Sequence, residues 1–149
     1  MKKGFVGNGT DKFTEQGKAS AVILMYELMF GAEAMVSGHS PVGGIDIWAE
    51  EVANDLGIPL DLKIPEINQW NPIGGYGYKA RNLDIAKDSD ELHVILADVY
   101  PEEYRGRRFK YCYHHSPVKT DHVKSGGCWT GKQAERLGTP TFWHIVNNY

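Results

Sequence analysis

Val42-Gly43-Gly44-Ile45-Asp46-Ile47-Trp48-Ala49-Glu50-Glu51-Val52-Ala53-Asn54-Asp55-Leu56-Gly57-Ile58-Pro59-Leu60 is the stretch that decides the fold. Ile45, Trp48, Ala49, Val52, Ala53 and Leu56 recur at helical spacing and make one apolar stripe. Asp46 stands in the first turn, where a carboxylate favours the helix dipole. Leu56-Gly57-Ile58-Pro59 closes the helix, and Leu60 to Ile64 reads as a strand. The glycine pair in front lets the backbone take positive φ and lets a ligand come close. The free N–H groups of the first turn then face outward with a partial positive charge, an arrangement suited to phosphate. Ser125-Gly126-Gly127-Cys128-Trp129-Thr130 repeats the pattern and closes on Leu137-Gly138-Thr139-Pro140. Any α/β domain needs some such turns. Two in one small domain suggest a nucleotide held between them.

Working outward, Lys3 to Val6 reads as a first strand running into the turn formers Gly7-Asn8-Gly9-Thr10-Asp11. Ala19, Val22, Ile23, Tyr26, Met29 and Phe30 predict a helix over Thr14 to Phe30, ended by Gly31. Ala34 to Ser37 is a second strand. Tyr78 to Lys87 is expected to be helical, Leu92 to Ala97 a strand, Thr130 to Leu137 the last helix and Thr141 to Val146 the last strand. The alternation argues for a parallel sheet with helices on both faces. Ligands of such sheets sit at the carboxyl ends of the strands. The loops at Gly7–Thr10, Ser37–Gly44, Gly74–Gly77 and Ser125–Thr130 are therefore expected on one edge. Residues 98–124 lack clean periodicity and form a loop insertion before the last helix.

The 149 residues fit one domain, 1–149, with 42% hydrophobic and 23% charged residues. The net charge of −3 gives no overall attraction to nucleic acid or anionic lipid. No apolar run reaches the length of a membrane span, and the first residues are too poor in apolar side chains for a signal peptide. Only two cysteines occur, so a reducing, cytoplasmic setting is expected.

The order of motifs is informative. A Val-Gly turn after the first strand precedes Ser37-Gly38 and then Gly43-Gly44-x-Asp46, on a helix containing Ala-Glu-Glu. Gly77-Tyr78-Lys79-Ala80-Arg81-Asn82 and Ser125-Gly126-Gly127-x-x-Thr130 follow. This order resembles the SLOG superfamily, which includes the "Lonely guy" phosphoribohydrolases, over nearly the whole chain outside 98–124. The resemblance implies a Rossmann-like three-layer sandwich. It implies that Gly43, Gly44, Gly126, Gly127 and Thr130 cradle a phosphate and that Arg81 pairs with phosphate or ribose. Asn82 would fix the loop; Gly7, Asn8, Ser37, Gly38, Asp46 and Ser125 complete the expected ligand site. It also suggests a homodimer. One departure bears on activity: the hydrolase branch carries a glutamate where this chain has Gln133, which cannot ionise. Trp129 likewise replaces a glycine. Glu50, Glu51 and Asp46 are the alternative carboxylates.

Cys112-Tyr113-His114-His115, His122 and Cys128 form a second constellation. Thiolate and imidazole suit zinc, and Cys112, His115, His122 and Cys128 make a Cys₂His₂ set, with His114 as the substitute for His115. Such a site would be structural and would staple a long loop. The competing reading is a loop with incidental histidines and two buried free thiols. His39 either touches a ligand or lies on the surface, whereas His93 and His144 read as packed strand residues. Trp70 and Tyr76 are the preferred aromatic candidates for base stacking, with Tyr78 behind them and Trp48 in the core. Arg105, Arg107, Arg108 and Lys110 make one basic run, either a solvated loop or a phosphate contact.

The expected function is binding of a nucleotide or nucleotide-derived small molecule, for sensing or sequestration. The alternative is an N-glycosidase or phosphoribohydrolase acting on nucleoside monophosphates. A third reading is a metal-stapled interaction module with a vestigial pocket.

Overall fold

The computed structural model describes all residues, Met1–Tyr149. Five strands and four α-helices follow in the order β1 (Lys2–Gly7), α1 (Glu15–Met29), β2 (Ala34–Ser37), α2 (Ile45–Asp55), β3 (Leu60–Leu62), α3 (Tyr78–Asp88), β4 (Glu91–Ala97), α4 (Gly126–Arg136) and β5 (Thr141–Val146). The sheet order is β3-β2-β1-β4-β5. Every pair is parallel, as the alternation of elements predicts. The result is a Rossmann-like three-layer sandwich.

Alternation along the strands builds two cores. Phe5, Met35 and Ile95 point to the face covered by α1 and α2, where they meet Met25, Met29, Trp48 and Val52. Val6, Val36, Leu92, Val94 and Leu96 point to the opposite face and meet Ile85, Ala86, Cys128 and Ala134 of α3 and α4. Central parallel strands are buried on both sides, which explains the unbroken apolar run Leu92 to Ala97 with one histidine in it. That histidine, His93, is buried as expected. It stacks between Phe5 and Phe142 and lies 2.9 Å from His144.

The chain runs from β1 through α1 to β2, but β4 lies on the other side of β1. The switch point of the sheet therefore falls between the carboxyl ends of β1 and β4. Asn8 fastens this junction. Its Oδ1 accepts from the Ala97 N–H at 2.9 Å, and its Nδ2 donates to the Lys124 carbonyl at 3.1 Å.

The last helix starts at Gly126, four residues before the periodicity places it. Ser125 is the reason. Its hydroxyl accepts from the Gly127 N–H at 3.0 Å and caps the helix, so the glycine pair lies inside the first turn. Residues 98–125 contain no helix and no strand beyond one bridge between Cys112 and Lys119. The segment is nevertheless tied down. Asn148 donates to the Val99 carbonyl, and Arg108 donates to the Pro101 carbonyl at 2.9 Å. No helix is long and apolar enough to cross a membrane.

Candidate functional site

A cavity of about 360 Å³ opens at the switch point. Gly7 at the end of β1, and Asn8 and Gly9 after it, line the cavity. Ser40, Val42 and Gly43 come from the β2–α2 loop, with Asp46 behind them on α2. Arg81, Asn82 and Ile85 enter from α3, and Ser125, Gly126, Gly127 and Thr130 from the start of α4. Lys12 completes the wall near β1. The insertion supplies the remaining side: Tyr100, Tyr104, Phe109 and Lys124.

The structure thus brings together Gly7, Asn8, Gly43, Asp46, Arg81, Asn82, Ser125, Gly126, Gly127 and Thr130. Three expected residues do not line the cavity but stand directly behind it. The Ser37 hydroxyl donates to the Asp46 carbonyl at 3.2 Å. The Gly38 carbonyl accepts from Arg81 Nη1 at 2.6 Å, and a Cβ on Gly38 would come within 2.5 Å of that nitrogen. The Gly44 N–H donates to Thr10 Oγ1 at 2.7 Å. The Gly74–Gly77 loop lies outside the cavity wall.

The two glycine turns are not equivalent. Gly43 and Gly44 have φ of 71° and 72°, conformations that glycine adopts without strain. Yet the N–H groups of Gly44 and Ile45 are already engaged, by Thr10 Oγ1 and by the Asn8 carbonyl at 3.2 Å. The protein itself therefore engages two N–H groups of the α2 turn. At α4 neither glycine has positive φ. Gly127 is needed because a Cβ there would lie 2.8 Å from the Gly7 nitrogen. Gly126 faces open space, and its N–H has no acceptor in the chain. A free N–H at the start of a helix is suited to an anion.

Charge in the wall is lopsided. Lys12, Arg81 and Lys124 line it with one carboxylate, Asp46, and Lys12 is also paired with Asp11 at 2.8 Å. Arg81 is buried and held by Gly38 and by Asn82 Oδ1, to which its Nε donates at 2.7 Å. Burial pushes the Asp46 carboxyl up to about 6, with Arg81 and the Ser40 N–H opposing the rise. Gln133 lies outside the wall, and Glu50 is engaged by His39 at 2.7 Å. His39 itself takes φ of 50° and lies outside the wall.

The aromatic side of the cavity differs from expectation. Trp70 packs edge-on against Trp129, with centroids 4.8 Å apart, and Tyr76 donates its hydroxyl to Asp84 at 2.6 Å. Neither lines the cavity. Tyr100 and Tyr104 instead stack at 4.8 Å on the wall, and Phe109 lies beneath Lys124 Nζ at 4.5 Å. These three rings come from the aperiodic insertion, so no spacing rule singles them out. Their clustering with Arg107 and Arg108 in one short segment was the available signal.

Beside the cavity, Cys112, His115, His122 and Cys128 are all buried, with ligand atoms within 4.8 Å of one another. This cluster could hold a metal ion. His115 rather than His114 belongs to it; the His114 ring instead lies against Tyr113 at 4.6 Å. Three details fit a metal. His115 Nε2 is buried with no hydrogen-bond partner. His122 Nδ1 donates to Asp121 at 2.8 Å, which leaves Nε2 turned towards Cys128 Sγ at 3.5 Å. The two thiols are coupled: hydrogen bonds from Cys128 and then His122 outweigh burial and pull the Cys112 thiol down to about 3, while the same contact pushes the Cys128 thiol up, so one of the two sulfurs already favours the thiolate that a metal needs. Both cysteines are free.

No family model matches the chain, and neither does any curated protein or any solved structure.

Proposed function

We propose that the chain is a SLOG-like nucleotide-binding domain that senses or sequesters its ligand. Its cavity takes a nucleoside monophosphate or a nucleotide-derived molecule of that size. The observation that carries this reading is the free Gly126 N–H at the α4 terminus, inside a wall of three cations and one carboxylate. A net positive, partly desolvated wall suits a phosphate dianion. The volume of about 360 Å³ is at the small end of ligand pockets and favours one nucleotide over a dinucleotide. Asp46 offers an acceptor for sugar hydroxyls, and the insertion offers aromatic edges and faces for a base.

The Cys₂His₂ cluster is proposed to hold a structural zinc ion. Zinc–sulfur bonds of about 2.3 Å and zinc–nitrogen bonds of about 2.0 Å need only a small contraction of the cluster. Four protein ligands leave no open position, so the ion would fix the fold and not react. Cys128 follows Gly127 directly, so the ion would also hold the anion-binding turn in place.

Calorimetric titration with AMP and the other nucleoside 5′-monophosphates tests the cavity, with NAD as the oversized control. Micromolar to millimolar binding of a monophosphate without NAD binding is the expected result. Failure of every nucleotide would overturn the reading. The hydrolase alternative rests on Asp46, the one carboxylate in the wall. Release of free base from the same nucleotides, abolished by Asp46→Asn, would establish it; no release is expected.

A further inference from the structure

The chain's net charge of −3 conceals a division. Residues 104–124 carry six lysines and arginines against one carboxylate, a net +5, so the other 128 residues carry −8. None of those six cations lies within ion-pair distance of a carboxylate. Isolated like charges on a loop repel one another, and a loop selected only for solubility would interleave signs. Arg108 is spent on the carbonyls of Pro101, Glu102 and Tyr104 and holds the loop together. Arg105, Arg107 and Lys110 are exposed and make no hydrogen bond to the chain.

Aromatic rings run through the same strip. Arg107 lies over Phe109 at 4.6 Å, and Lys124 spans Phe109 and Tyr113 at 4.5 and 5.2 Å. At the Cys/His cluster, Cys112 makes a single antiparallel bridge with Lys119, between a bend at Tyr111 and a turn at Tyr113. Cys112 is fully buried, while its neighbours Tyr111 and Tyr113 are 50% and 53% exposed. The cluster therefore presents two rings outward by pulling the residue between them in. Phe109 and Lys124 belong to both the strip and the cavity wall, so the two surfaces are continuous.

We infer that this strip binds the backbone of a single-stranded nucleic acid, and that the cavity receives one nucleotide of that strand. Unpaired cations track phosphates, and half-exposed tyrosines stack on bases of any sequence. A duplex fits less well, because its bases are not available to stack on Tyr111 and Tyr113 or to enter the cavity. The inference adds a second surface to the nucleotide reading of the cavity and rests on that reading for the bound nucleotide alone.

The test follows a labelled oligo(dT) of about a dozen nucleotides by fluorescence anisotropy at several salt concentrations, with AMP titrated in parallel. Wild-type protein should bind the oligomer at low salt. Three to five phosphate contacts predict a slope of log affinity against log salt of about −2 to −3.5. Arg105→Glu/Lys110→Glu, at two exposed positions outside the cavity, should weaken the oligomer at least tenfold and flatten that slope. AMP binding should be unchanged in the variant. Tyr111→Ala should cost the oligomer several-fold with the salt slope kept. Binding of AMP without binding of oligo(dT) would overturn the strip and leave the cavity reading intact. Binding of oligo(dT) without binding of any nucleoside 5′-monophosphate would support the strip and overturn the cavity reading. If the double variant instead loses ATP, or vesicles rich in anionic lipid, while wild type ignores oligo(dT), the strip serves a different anion and the inference is wrong.

Discussion

Asp46 shows how a single residue reveals the site. A carboxylate buried beside one guanidinium destabilises the fold at neutral pH, and such groups cluster where they are used. Its carboxyl rises to about 6 in the folded chain from about 3.9 in the unfolded chain. Between those values the folded state binds the extra proton. The Asp46 contribution to stability therefore falls as pH rises from about 4 to about 6 and is level above. Asp46→Asn should remove that fall and raise stability at pH 7.5 by up to about 3 kcal/mol, less what Arg81 loses with its counter-charge. Urea denaturation from pH 4 to 8 measures this; an unchanged pH profile would count against the burial of that charge. Gly126 gives a cleaner probe of the anion end than Gly127, whose added Cβ would press on the Gly7 backbone. Gly126→Asp puts a carboxylate in open space at a helix start, where it stabilises by about 0.3–1 kcal/mol. The melting temperature should hold or rise while AMP affinity falls at least tenfold. Equal affinity in the variant would remove α4 from the site.

At the scale of elements, legibility followed periodicity. The spacing located α2, β2 and β5 because their apolar faces must meet a core with a fixed repeat. It placed α4 late because the first turn, Gly126-Gly127-Cys128-Trp129, has an apolar pattern that only the Ser125 cap and the Cys128 contact explain. The Cys/His cluster was readable by residue type alone, since few other combinations suit a metal. The aromatic wall was not readable, because an aperiodic segment leaves no rule for which ring turns inward. Trp70 and Tyr76 were attractive for their Gly/Asn/Pro setting, yet each has a protein partner, Trp129 and Asp84. The cluster joins α4 to the insertion, and its removal should be felt in both. Chelation or Cys128→Ser should cost about 3 kcal/mol, a fall of roughly 10 °C in melting temperature for a domain this size. AMP affinity should drop with it, because the anion-binding turn loses its anchor. Elemental analysis should find about one zinc per chain in wild type and less in Cys128→Ser. Metal-free wild-type protein with the same melting temperature would refute the site.

Across the whole molecule, the sheet places all its chemistry on one rim. Parallel strands send every βα loop to the same end, so residues from 7 to 130 converge on one cavity without any local motif requiring it. The same topology spreads its contacts unevenly in sequence. β1 meets β4 in a register that pairs Lys3 with Glu91, whereas the four ligands of the Cys/His cluster fall within residues 112 to 128. Closing a short span is entropically cheap and fast, and joining distant strands is slow. With zinc bound, the cluster would be expected to close before the central sheet forms, and the distant pairing of β1 with β4 to come later. Refolding from urea should accordingly run faster with zinc present than with chelator, and stopped-flow fluorescence from Trp129 and Trp143, beside the cluster, would register the difference.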